Sequence, residues 1–175
     1  MKFPFALLLI PLVTGLQAKT VDIGSQRELF VDDYLIARMS GDVQQKLHRP
    51  AAREVVLTTN APWEGNTSAY YTVFRDGPLF RMYYRGSHWD TKTRKATHRE
   101  VTCYAESKDG IHWTKPELGQ FEFAGSRANN IVLDGIGTHC FAAFRDDNPD
   151  CLPEARYKGI SRGRPAGKKG LFLFH

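Results

Sequence analysis

The side chains best able to do chemistry sit in short polar stretches at the ends of apolar runs. "FRDDNP" carries Arg145, Asp146 and Asp147 in a row, and "PWEGN" carries Glu64 between an aromatic residue and a glycine. Arg85 follows "MYY", and His139 precedes "CFAAFR". A carboxyl group so placed can take up or release a proton, and a guanidinium or imidazole can hydrogen-bond the hydroxyls of a ligand. Each also has a structural reading. Asp146 and Asp147 suit an acidic turn capping a strand through Asx hydrogen bonds, Glu64 suits a loop at a sheet rim, and Arg85 and His139 suit strand ends. Asp32 and Asp33 are better explained as a turn between strands, and Asp109 as a turn residue without a catalytic role. No CxxC pair or His/Cys cluster has zinc spacing, so neither a metal nor a cofactor is expected.

The elements that must hold these residues are strands. "SAYYTVFRDGPLFRMYYRGS" predicts two, over 69–75 and 79–85, joined by Asp76-Gly77-Pro78 and rich in aromatic and β-branched residues that suit a pleated, half-buried surface. A charged loop leads to a third strand over 100–106. The turn Ser107-Lys108-Asp109-Gly110 then delivers a fourth, outer strand over 111–114, because Asp-Gly tolerates positive φ. Trp113 on that strand is expected to pack against a neighbouring sheet. Upstream, alternation predicts strands over 28–31, 34–38 and 53–58. Downstream, "NNIVLDG" precedes a second unit with strands over 139–145, 155–163 and 170–175, in the same order as the first. No amphipathic helix is evident. A repeated sheet of about four strands is the habit of a β-propeller, so the expected fold is all-β, built of four-stranded antiparallel blades.

At 175 residues the chain allows one ordinary domain or part of a larger one. The net charge of +5 is scattered except in the tail from Arg156 to Lys169, and no nucleic-acid reading motif accompanies it. Nucleic acid is therefore not an expected partner. "MKFPFALLLIPLVTGLQA" has one cation, an apolar stretch and a small-residue ending, which predicts a secretory signal over 1–18. The stretch is too short to span a bilayer and is interrupted by Pro4 and Pro11, so no membrane span is expected after cleavage. Cys140 and Cys151 could pair in an oxidising compartment, leaving Cys103 alone; the alternative is three small apolar residues at strand positions.

"RELFVDDYLI", "PWE", "YYTVFRDG", "MYYRG", "CYAESKDGIHWTKPELG" and "NNIV" resemble secreted bacterial proteins related to glycoside hydrolase families 32 and 43. The likeness runs over roughly 24–163. It implies a five-bladed propeller acting on poly- or oligosaccharide, secreted or periplasmic, with carboxylates on the inner strands of successive blades. Hydrolysis of a glycoside needs two opposed carboxyl groups, since the leaving oxygen is protonated while the sugar carbon is attacked. By this resemblance Asp146 matches the transition-state carboxylate beside Arg145, with Asp147 competing because Asp-Asn is inserted before Pro149. Glu64 stands nearest the first-blade base or nucleophile, and Arg85, Arg145 and His139 are candidate substrate contacts. The expected layout is a signal over 1–18, N-terminal strands and connection over 19–62, a first blade over 63–123 and an incomplete second over 124–175. A closed five-bladed propeller takes on the order of 300 residues. The expectation is thus a truncated portion that lacks the general acid and does not hydrolyse alone. The alternative is a non-catalytic carbohydrate-binding or scaffolding propeller.

Overall fold

A computed structural model describes residues 20–175, so the predicted signal lies outside the described residues. The described residues form two compact units, 20–52 and 53–175. In the first, residues 20–52 hold turns and extended segments but neither strand nor helix. The strands expected over 28–31 and 34–38 do not form. Leu29, Phe30, Val31 and Tyr34 are all exposed, and a strand without a neighbour leaves its backbone groups unpaired. The Asp32-Asp33 turn does form: the Tyr34 N–H donates to the Asp32 carboxylate at 2.9 Å and the Ile36 N–H to the Asp33 carbonyl at 3.0 Å. The segment 53–58 is likewise not a strand.

The second unit is all-β. Its strands are β1 (Ala69–Asp76), β2 (Leu79–Gly86), β3 (Trp89–Asp90), β4 (Lys95–Ala96), β5 (Val101–Ser107), β6 (Trp113–Thr114), β7 (Ile131–Asp134), β8 (Ala142–Arg145), β9 (Tyr157–Gly163) and β10 (Gly170–Phe174). One 3-10 turn, Pro153–Ala155, is the regular helical content; Pro165–Gly167 is a turn with Ala166 left-handed at φ 50°, and among the described residues no helix is long and apolar enough to cross a membrane. The first sheet has the antiparallel order β1-β2-β5-β6, with β7 on the same edge of β5 as β6 but at its other end. The second has the order β10-β9-β8. β7, inside the stretch expected to be the second blade, therefore belongs to the first sheet. The side chain of Arg99 clamps it there through both Asp134 oxygens.

Period-two alternation gives the first sheet two working faces. On one, Met82, Tyr84, Val101, Cys103, Ala105 and Ile131 form a core capped by Leu57, Trp63, Trp113, Phe121 and Phe123. Trp113 thus packs on its own sheet rather than on a neighbouring one, with its indole N–H on the Gly110 carbonyl at 3.0 Å. Asp109 explains the turn that places it. Its carboxylate accepts the N–H groups of Ile111 and His112 at 2.9 and 2.8 Å. Gly86 has no side chain because the Trp63 carbonyl oxygen occupies the place a Cβ would take.

The opposite face carries Phe74, Tyr83 and Tyr104 and meets the second sheet. Phe74 stacks on Tyr83 at 6.0 Å, Tyr83 meets Phe141 edge-on at 6.1 Å, and Phe141 meets Phe174 at 5.5 Å. Such pairs contribute about 0.5–1.5 kcal/mol each beyond their buried area. Gly159 on β9 leaves the room that the Phe141 ring fills. β1 and β8, the first strands of the two sheets, lie against each other along this seam.

Candidate functional site

Glu64 is fully buried on the capped face of the first sheet. The strand end at Ser87 and the loop Ala61–Ser68 fix its backbone: the Ser87 N–H and the Ser68 hydroxyl both donate to its carbonyl at 2.8 Å. Its carboxylate accepts the Tyr84 hydroxyl at 2.5 Å, the Ala61 N–H at 2.8 Å and the Lys115 ammonium at 2.8 Å. Asn130 completes the network, donating to the Tyr84 hydroxyl at 2.9 Å and accepting the Trp63 indole N–H at 2.7 Å. Burial, with Glu64 accepting its proton, pushes the Tyr84 phenol far up. Every Glu64 oxygen is spoken for and none meets solvent. In this position it ties loops to the sheet and has no face open to a ligand.

The other predicted residues lie on the seam, at its two ends. At the C-terminal ends of β1 and β8, Asp76 accepts Arg81 Nε at 2.6 Å, Arg145 at 3.3 Å and the Tyr157 hydroxyl at 3.1 Å. Arg145 also donates to Asp147 at 2.8 Å. Asp146 pairs with Lys158 across β8–β9, and its carboxylate accepts the Asn148 N–H at 2.9 Å. The ammonium of Lys158, helped by that N–H, holds the Asp146 carboxyl below its ordinary value, and Arg81 does the same for Asp76. Asp146 is partly shielded, whereas Asp147 is 67% exposed. Arg81 also reaches the Tyr104 hydroxyl at 2.9 Å, and the phenol, desolvated and donating to Glu106, is pushed up to about 12.

At the opposite end Arg85 and His139 come together on Glu100, at 3.2 and 2.9 Å. Arg85 also donates to the Thr67 carbonyl at 2.7 Å and lies over the Tyr70 ring at 4.7 Å. Tyr70 occupies the irregularity between β1 and β2, with φ 58°, and meets His139 edge-on at 5.9 Å. The structure therefore joins Arg85 with His139 and Arg145 with Asp146 and Asp147. It does not bring the two groups together, and Glu64 belongs to neither. Asp76, Glu100, Tyr157 and Lys158 escaped the sequence reading. The signal for Asp76 was present: Phe-Arg-Asp ends β1 at 74–76 and recurs at the end of β8 at 144–146.

All three cysteines are free thiols, Cys103 buried and Cys140 and Cys151 half-buried. Among the described residues no three His, Cys, Asp or Glu side chains are grouped as metal ligands.

No protein-family model matches the chain. It is similar to two uncharacterized proteins of Mycobacterium tuberculosis, one from strain CDC 1551 / Oshkosh and one from strain ATCC 25618 / H37Rv. Each is 38% identical over 60 residues, which is 33% of this chain and 19% of the relative. The match thus spans about a fifth of those relatives' length. No solved structure matches.

Proposed function

We propose that the chain belongs to a secreted carbohydrate-active protein of the glycoside hydrolase 32 and 43 propeller type, acting on poly- or oligosaccharide. The observation that carries the reading is the recurrence of Phe-Arg-Asp at the ends of β1 and β8, adjacent first strands of successive antiparallel sheets. It supports a blade repeat in which each inner strand ends in a carboxylate held by a cation. Asp146, kept ionised by Lys158, suits a carboxylate that stabilises positive charge at a sugar carbon and does not suit a general acid. Reducing-sugar release from a panel of plant and algal polysaccharides tests the reading, with Asp146→Asn as control. Turnover that the variant lowers by tenfold or more supports hydrolysis; turnover indifferent to it would remove Asp146 from the reaction.

A second reading, carbohydrate binding without cleavage, has its own support. Among the described residues Glu64 is enclosed and Asp146 and Asp147 are both paired to cations, so none of these three carboxyls is free to act opposite another. Retention of oligosaccharide with no product over days favours it.

A further inference from the structure

The Glu100–His139 end of the seam opens into a cleft of about 510 Å³, lined by those two residues, Arg162 to Arg164, Lys169 and Gly170. That volume lies in the range of small-molecule sites, roughly 300–1,000 Å³. Its charge is one-sided. The Glu100 carboxylate is answered within the protein by Arg85 and His139. Arg162, Arg164 and Lys169 are exposed and, among the described residues, form no ion pair. Three unanswered cations around one hollow attract and hold an anion. The backbone of the cleft is fixed, since β9 and β10 pair from Gly163↔Gly170 onward and the Arg162 N–H donates to the His139 carbonyl at 3.1 Å. A second hollow shares His139 and Arg162 to Arg164 and adds Ile136 and Phe172, which offer an apolar surface beside the cations. An apolar floor flanked by fixed positive charge fits a ring that carries an acid group, a combination a free inorganic anion does not need.

We propose that this cleft binds an acidic saccharide unit, its charge a carboxylate or a sulfate ester, at a subsite separate from the Asp146 turn. The sugar rests on the carbohydrate reading above; the charge rests on the cleft alone. The test is calorimetric titration of the full chain with a short oligogalacturonate, its methyl-esterified neutral counterpart, a sulfated galactan oligosaccharide of equal length and a single-stranded oligonucleotide. The acid form is expected to bind at least about tenfold more tightly than its ester, the loss of one charge-assisted contact, and to weaken as salt rises. Arg164→Glu with Lys169→Glu, both at exposed positions, is expected to abolish that preference while thermal melting stays unchanged. Tighter binding of the sulfated ligand supports the proposal and assigns the charge to sulfate. Equal binding of acid, ester and sulfated ligand, or a preference untouched by the double variant, overturns the cleft and leaves the carbohydrate reading standing. An oligonucleotide bound more tightly than either saccharide overturns the proposal in favour of nucleic acid. If none of the three saccharides binds, the cleft proposal is overturned, and the carbohydrate reading is decided separately by a glycan array.

Discussion

Replacing Glu64 by glutamine keeps the shape of the side chain and removes its charge. The amide oxygen can stay where Oε2 accepts the Ala61 N–H and the Lys115 ammonium, each at 2.8 Å. The amide nitrogen then faces the Tyr84 hydroxyl, which already receives Asn130 at 2.9 Å. That hydroxyl is left with two donors against it and no acceptor for its own proton. A buried donor without a partner costs about 1–3 kcal/mol. Lys115 is 24% exposed and keeps the Thr58 carbonyl at 2.7 Å, so its lost ion pair adds only about 1 kcal/mol. The sum, about 2–4 kcal/mol, is a large share of the 5–15 kcal/mol typical of a domain. With a urea slope of about 1–3 kcal/mol per molar, the unfolding midpoint should fall by about 0.7–4 M. Tyr84→Phe should show coupling with it in a double-mutant cycle, because the two changes remove one shared bond. A midpoint that moves by less than about 0.3 M, while carbohydrate binding or turnover is lost, would refute the buried-hub account and return Glu64 to the ligand.

Asp76 ties the two sheets, and its folded carboxyl is held below its ordinary value by Arg81, with Tyr157 and Arg145 adding to the effect. Its contribution to stability is therefore full above the unfolded value of about 3.9 and is lost as pH falls below it. Urea midpoints measured between neutral pH and pH 3 should decline more steeply for wild type than for Asp76→Asn; parallel declines would contradict the tie. Gly86→Ala places a methyl on the Trp63 carbonyl oxygen, so the variant should be recovered mainly as insoluble protein, and a soluble, wild-type-like product would refute the close approach. Burial pushes the Cys103 thiol up, whereas Cys140 and Cys151 are half-buried and free. A thiol-disulfide reagent should thus label two cysteines in the native state and the third only on unfolding.

The central hairpin was legible because local signals agree there. Asp76-Gly77 closes a tight turn, and alternating aromatics bury against both faces, so β1, β2 and β5 fall within a residue or two of their expected limits. The segments 28–31, 34–38 and 53–58 carry the same alternation but meet no partner strand, and pattern alone cannot supply a neighbour. β8 is shorter than expected because Cys140, with φ 56°, leaves the extended region just before it. β7 joins the first sheet through contacts remote in sequence: its register with β5 is set at Val101↔Asp134, and Asn130 beside it donates to the Tyr104 carbonyl at 2.6 Å. The site was legible only in pieces. Arg145, Asp146 and Asp147 stand at a strand-end turn, as their types suggested. That Glu64 is enclosed depends on Tyr84 and Lys115, 20 and 51 residues away, and no spacing rule announces such partners.

The carbohydrate reading is tested most directly by amide hydrogen exchange on the chain in the presence of oligosaccharides selected from a glycan array. The account predicts that at least one of them is retained and slows exchange in β8 and β9, at the Asp146 turn or the Glu100–His139 cleft. An array without a single retained glycan, or protection confined to the capped face around Glu64, would contradict it.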